Sequence, residues 1–304
     1  MKRKLKFYLK SIIHLIREKF GLYDIQISQG KILNMLNNYN SKYSCLHDFE
    51  FKVFSQRGED GIIQFLINNV AIPETSKVFV EFGVETYIES NTRFLLINNN
   101  WSGLVIDGDK DNTNFIKRDS IFYNYNLKVE TAFITKSNIN QILKKNNLTG
   151  EVGILSIDID GNDYWIWESI SSIDPIIVII EYNSLFGNIR AITTPYDDNF
   201  QRTKYHYSNL LFGSSLKALC MLAERKKYSL VGTNSTGTNA FFIRNDKIGA
   251  LKIFDHTNGY TKAQFTEARD KNGKILGTMN WEDKENLIRG KIVFDVENSK
   301  AIQF

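Results

Sequence analysis

Proline is scarce in this chain, with three in 304 residues. So few cannot build a Pro-rich linker or spacer. Cysteine is scarcer still. Cys45 and Cys220 stand far apart, which excludes a disulfide framework and a Cys-based metal site. The G-x-G-x-x-G fingerprint of dinucleotide binding is missing, which argues against a dehydrogenase. No internal repeat appears. No apolar run is long enough to span a membrane, and no small-residue cleavage site follows the N-terminal segment. A cytoplasmic protein is the expectation.

What the chain does have is a core. Apolar residues make up 42% and aromatic residues 13%. That length and composition suit one large α/β domain with appendages. The net charge of +4 is uneven. Lys2, Arg3, Lys4, Lys6, Lys10, Arg17 and Lys19 against Glu18 give the first twenty residues +6, leaving −2 for the rest. A mildly acidic body argues against a nucleic-acid groove. Leu5, Leu9, Ile12, Ile13 and Ile16 recur at helical spacing in the basic segment. It reads as a surface helix packed on the domain or on a second copy. The alternative is a helix drawn to anionic lipid at a membrane surface.

Residues 1–48 form a basic N-terminal helical extension, 49–245 the main domain and 246–304 a C-terminal appendage. In the main domain, apolar strands are expected at 78–82, 104–106, 122–125, 153–157 and 176–180. Helices are expected at 91–98, 138–146 and 208–227. Runs at 228–232 and 240–244, joined by TNSTGTN, read as a hairpin. Five βα units closed by a hairpin give a mostly parallel sheet with one reversed strand. Ligands bind at the carboxyl ends of such strands. Gly83 breaks the first strand where a backbone can turn tightly. Asp107 closes the second, where a carboxylate can accept from both hydroxyls of a ribose. The stretch from 78 to 109 therefore proposes a nucleoside-containing cofactor.

The motifs SQRGEDG (55–61), FVEFGVETYIESNT (79–92), LVIDGD (104–109), LSIDIDGNDYWIW (155–167), IIEYN (179–183) and NAFFIRN (239–245) occur in this order. Together they resemble the class I S-adenosylmethionine-dependent methyltransferases, and in detail the FkbM-like group of glycan and natural-product biosynthesis. The resemblance covers residues 52 to 245. It implies a Rossmann-like α/β sheet of seven strands, mostly parallel with the last antiparallel, and S-adenosylmethionine as cofactor. Two departures stand out. No second glycine follows Gly83, and Asp158-Ile159-Asp160-Gly161 replaces the group's Asp-x-Glu-Gly.

The resemblance implies that Glu81 and Gly83, and less directly Glu85, line the methionine end of the cofactor. It implies that the turn with Gln56 and Asp60 folds over the cofactor. By residue type alone those acids suit a helix N-terminus. Asp158 is a further cofactor-binding candidate, and Asp107 the ribose ligand. Asp160, Glu181 and Asn183 are candidate ligands of Mg²⁺, since hard cations take oxygen donors. The alternative is that Asp158 and Asp160 order the cofactor loop and Glu181 caps a turn. His206 is the candidate general base, with Asp160 beside it as a second catalytic candidate. Trp165, Trp167, Tyr182, Tyr196, Tyr205 and Tyr207 form either a sugar-stacking wall or core. The expected reaction is methyl transfer to an oxygen, a sugar hydroxyl on a small-molecule or glycan acceptor, in a protein able to form homo-oligomers. Two alternatives stay open: a metal-dependent glycosyltransferase using Asp158-x-Asp160, and a non-catalytic scaffold.

Overall fold

A parallel strand buried on both faces needs an apolar residue at nearly every position, and residues 152–157 and 175–180 of this chain come close to that. They become the centre of the sheet. The computed structural model describes residues 2–39, 43–264 and 266–304, with the backbone alone for residues 2–4 and 6. The charged side chains of Lys2, Arg3, Lys4 and Lys6 therefore lie outside the described residues.

Two helices open the chain, α1 (Lys2–Lys19) and α2 (Leu22–Tyr39). Then come α3 (Glu59–Asn69), β1 (Val78–Phe82), α4 (Arg93–Asn99), β2 (Ser102–Asp107), α5 (Lys110–Ile116), α6 (Ser120–Asn124) and β3 (Leu127–Thr131). Next are α7 (Ile139–Lys145), β4 (Gly150–Ile157), α8 (Asp163–Ser169) and β5 (Ile173–Glu181). A long loop carries β6 (Ile192–Thr193) and α9 (Arg202–Tyr205), and α10 (Leu216–Lys226), β7 (Tyr228–Thr233) and β8 (Asn239–Arg244) follow. The chain ends with α11 (Trp281–Ile288), β9 (Ile292–Asp295) and β10 (Lys300–Gln303).

Seven strands form one sheet in the order β3-β2-β1-β4-β5-β8-β7. Pairings among β1 to β5 are parallel, and β8 runs antiparallel to both β5 and β7. This is the Rossmann-like class I methyltransferase sheet, with its last strand reversed, as expected. Successive residues of a strand face opposite sides. Val80, Phe82, Leu155 and Val178 accordingly enter one core, and Phe79, Val105, Ile154 and Ile177 the other.

Most element ends shift by one to three residues, and some departures are larger. Residues 122–125 are not a strand. Asp119 accepts from the Ile121 amide at 3.1 Å and starts α6 there, so a helix cap overrides the β preference of Ile-Phe-Tyr. The third strand begins at Leu127 instead. The helix expected from Ser208 starts at Leu216, where Ser215 caps it by accepting from the Ala218 amide at 3.2 Å. The C-terminal segment lacks a period because its elements are short. β9 pairs with β6 and β10 in a second sheet. Its Ile288 and Val293 share a small core with Leu185, Ile192 and Leu210 of the main domain's long loop.

α1 lies across the body through a few specific contacts. Phe7 packs edge-on against Phe115, with ring centroids 5.9 Å apart. His14 reaches Asp119 at 3.1 Å through Nε2 and the Tyr23 hydroxyl at 2.8 Å through Nδ1. Arg93 approaches the same Asp119 at 3.4 Å. Burial alone would raise the Asp119 carboxyl, yet His14 and Arg93 beside it hold it down to about 2 from 3.8. A depressed acid stabilises the fold above its unfolded pKa and loses that contribution as pH falls through the folded one. Asp119→Asn should therefore cost about 2–3 kcal/mol at neutral pH. Thermal unfolding at several pH values checks this. The gap between the two proteins should be full above pH 3.8 and should close toward pH 2.

Candidate active site

The carboxyl ends of β1, β2, β4 and β5 open into a cavity of about 680 Å³, within the range of small-molecule and cofactor sites. Gly83 and Glu85 after β1, Asp107 and Gly108 at β2, Phe133 and Ile134 after β3, and Asp158 to Asp160 after β4 line it. Glu181 of β5 and Phe200 and Arg202 of the long loop close the far side. α1 adds Lys10, His14 and Arg17 as a further wall.

The turns that shape this cavity are held from below. Gly83 takes a left-handed backbone (φ 74°), and a Cβ there would sit 1.7 Å from the Asp158 carbonyl oxygen. The glycine thus exists so that the β1 turn can touch the loop after β4. The missing second glycine has a structural counterpart. Glu85 itself adopts φ 46°, a conformation that costs a non-glycine residue about 1 kcal/mol or more. Its amide donates to Asp107 Oδ2 at 2.8 Å, which fixes the turn. Past β4, Asp160 is also left-handed (φ 60°), and Gly161 leaves room for the Phe200 ring.

Asp107 is 8% exposed and lines the cavity. Its Oδ1 accepts from the Asp109 amide at 2.8 Å and from Asn112 Nδ2 at 3.0 Å. With the Glu85 amide on Oδ2, three of about four acceptor positions are occupied. Room remains for one ligand hydroxyl, and accepting from both hydroxyls of a ribose requires Asn112 to turn away. Burial raises this carboxyl above its ordinary value, against the pull of those donors.

At the other end, carboxylate oxygens of Asp158, Asp160 and Glu181 all lie within 4.8 Å of one another. Burial and then mutual repulsion push Asp158 and Glu181 well above the usual carboxylate range. Arg202, which the sequence did not single out, answers them. Its Nη1 donates to Asp160 Oδ1 at 2.7 Å and its Nε to the Asn209 carbonyl at 2.9 Å. Its guanidinium lies 3.5 Å from the centre of the Phe212 ring. Glu181 Oε2 has no hydrogen-bond partner among the described residues. Three carboxylates with one guanidinium leave a deficit of positive charge, and their oxygen donors suit a divalent cation.

Of the expected site residues, Gln56, Gly83, Glu85, Asp107, Asp158, Asp160 and Glu181 meet in this cavity. Four do not. Asp60 is buried and accepts from the amides of Val53, Phe54 and Ser55 at 2.7–2.8 Å, so it holds the loop before α3. Glu81 accepts from the amides of Asn91 and Thr92 at 2.9 and 3.1 Å, holding the start of α4. Burial pushes its carboxyl up to about 7. Asn183 is corrected as a metal ligand. Its Nδ2 donates to the carbonyls of Leu210 and Phe212 at 2.9 Å, and its Oδ1 accepts from the Leu185 amide at 3.0 Å. His206 is corrected as the general base. It is buried away from the cavity, with Nδ1 2.7 Å from Ser208 Oγ, and burial lowers its pKa.

The aromatic wall also changes. Trp167 and Tyr182 are buried within the core. Phe133 and Phe200 line the cavity instead, along with Phe54. One signal was present for Arg202: a base four residues before His206, in a loop returning to the sheet's carboxyl edge.

No protein-family model and no curated protein sequence matches the chain. Among solved structures, it is similar to M. capricolum TrmK in complex with S-adenosyl-homocysteine, at 12% identity and a TM-score of 0.35. That likeness covers 55% of this chain and 62% of the other. An O-methyltransferase from Bacillus cereus, also in complex with S-adenosyl-homocysteine, is similar at 13% identity and a TM-score of 0.36, over 72% of this chain and 89% of the other. The CurJ carbon methyltransferase is similar at 9% identity and 0.39, over 61% and 52%. The strand order establishes the fold independently of these likenesses.

Gly83→Ala should destabilise the protein by several kcal/mol, because both the backbone angle and the Asp158 contact are lost. Chemical denaturation measures it. A change within about 0.5 kcal/mol would contradict the close approach.

Proposed function

We propose that this chain transfers a methyl group from S-adenosylmethionine to an oxygen, a sugar hydroxyl of a glycan or natural product. One observation carries the reading. A class I methyltransferase sheet brings Asp107 at one end of a cavity and an acid rim at the other. The cofactor supplies an electrophilic methyl group already activated on a sulfonium. The O–C bond forms as the S–C bond breaks, and the hydroxyl proton must leave.

The chain's own residues supply the rest. Asp107 has one free acceptor position for a ribose hydroxyl. The Gly83–Glu85 turn sets the floor on which the cofactor lies. Asp158 and Glu181 stand where a hydroxyl proton can be taken, and a carboxylate with a raised pKa is a better base. Arg202 orients Asp160. The sugar reading rests on the FkbM-like motifs and on the number of acceptors at this rim.

A divalent cation such as Mg²⁺ fits the same rim, favoured by the three converging carboxylates. Asp158, Asp160 and Glu181 would hold it. Such an ion lowers the pKa of a bound hydroxyl.

The decisive measurement is thermal stabilisation by S-adenosylhomocysteine, UDP and NAD at saturation. A ligand at 100 times its Kd adds about 2.7 kcal/mol. The homocysteine nucleoside alone should stabilise, and Asp107→Ala should remove the effect. Stabilisation by UDP alone would favour the glycosyltransferase alternative and end this proposal.

Metal dependence is separable. Methyl transfer that stops in EDTA and returns with Mg²⁺ supports the cation at the rim. Full activity in chelator leaves the carboxylates as the base, and Glu181→Gln should then lower kcat by about 10²-fold or more.

A further inference from the structure

We infer that the α1–α2 hairpin is a docking surface for an anionic lipid bilayer. Among the described residues, 15 of the 21 exposed large hydrophobic side chains lie between Leu5 and Tyr39. Leu5, Leu9, Ile12 and Ile16 follow one another at spacings of three and four along α1 and are 47–70% exposed. These positions share one side of a helix. The opposite side carries Phe7 and His14, which pack on Phe115 and Asp119 of the body. On α2, Ile25 and Ile32 are 55% and 57% exposed. Single apolar residues on a surface are ordinary, whereas a contiguous set marks an interaction site.

The charge of the whole segment, in which Lys10 and Arg17 turn to the cavity, argues for what covers this face. The first twenty residues carry +6 while the remaining chain carries −2. A second copy packed through the same face about a two-fold axis would bring two such segments together, and they would repel. An anionic bilayer does the opposite. It attracts each Lys or Arg near its surface while it takes up the apolar stripe. No helix among the described residues is long and apolar enough to cross a membrane. The hairpin therefore lies along the surface. Its inner side, through Lys10, His14 and Arg17, remains part of the cavity wall.

Co-sedimentation of the full chain with phosphatidylcholine vesicles, with and without phosphatidylglycerol, tests this. Binding should be about tenfold or more tighter with the anionic lipid, and should weaken in high salt. Leu9→Glu combined with Ile12→Glu alters two exposed positions. It should leave the melting temperature within a few degrees of wild type and reduce vesicle binding about tenfold or more. If that variant unfolds early, Leu9→Ser replaces it with the same expectation. Equal binding to both vesicle types, or unchanged binding by the folded variant, would overturn the proposal. So would a lipid-free dimer, seen by light scattering, that the same variant converts to monomer.

Discussion

Beyond the last residue of a parallel strand the backbone loses its ladder, and its amides must find other acceptors. In this protein buried carboxylates provide them. Asp60 holds residues 53–55, Glu81 holds 91 and 92, and Asp107 holds 85 and 109. Asp163 holds 159 and 161, each at 2.8 Å. The turns after β1, β2 and β4 are each tied by at least one of these bonds. A hydrogen bond to a charged group contributes about 1.5–3 kcal/mol, enough to hold turns whose backbone is itself unfavourable. Glu85 and Asp160, both left-handed, lie within such tied turns.

The two halves of the cavity consequently form one unit. The β1 turn presses on the Asp158 carbonyl through Gly83, so the loop that carries the acid rim and the turn beside Asp107 are in backbone contact. A change at either end is transmitted through atoms that have no free space. Interiors packed to this degree do not deform gradually. The two ends of the cavity must therefore be considered together, although they come from different strands, β2 and β4, with β3 between them in the chain.

This arrangement also explains what was legible beforehand. β1, β2, β4 and β5 were, because buried parallel strands appear as mainly apolar runs, with Glu81 the one charge in β1. β3 was not, since Asp119 starts a helix just where the β-prone residues lie. The acids at strand ends were visible as acids, but their partners were not. Glu81 is one residue inside β1, so its side chain stays in the layer of α4 and meets amides there. Asp107 is the last residue of β2 and reaches the rim. A difference of one position along a strand separates a loop anchor from a cavity residue, and sequence order alone does not fix which amides will come near. Asn183 and His206 failed for a related reason. Asn183 is occupied by the carbonyls of Leu210 and Phe212 and by the Leu185 amide, and His206 is held through Nδ1 at the Ser208 hydroxyl, outside the lining of the cavity.

What remains distinctive is the rim. Asp60, Glu81, Asp107 and Asp163 accept from backbone amides, whose dipoles compensate charge without carrying any, and Asp119 has His14 and Arg93 beside it. Asp158 and Glu181 have no comparable set of amides, and like charge from Asp160 and Asp163 raises them further. The nearby guanidinium of Arg202 is bonded to Asp160 and to a carbonyl, and it is pinned over Phe212. Folding therefore leaves this group of carboxylates incompletely satisfied, on the wall of a cavity large enough for a ligand. Left unpaired, such a group costs stability. Convergence sets this group apart from Asp60, whose Oδ1 is also left without a partner among the described residues: three carboxylates meet at one wall of the cavity, where burial and mutual repulsion raise Asp158 and Glu181 together.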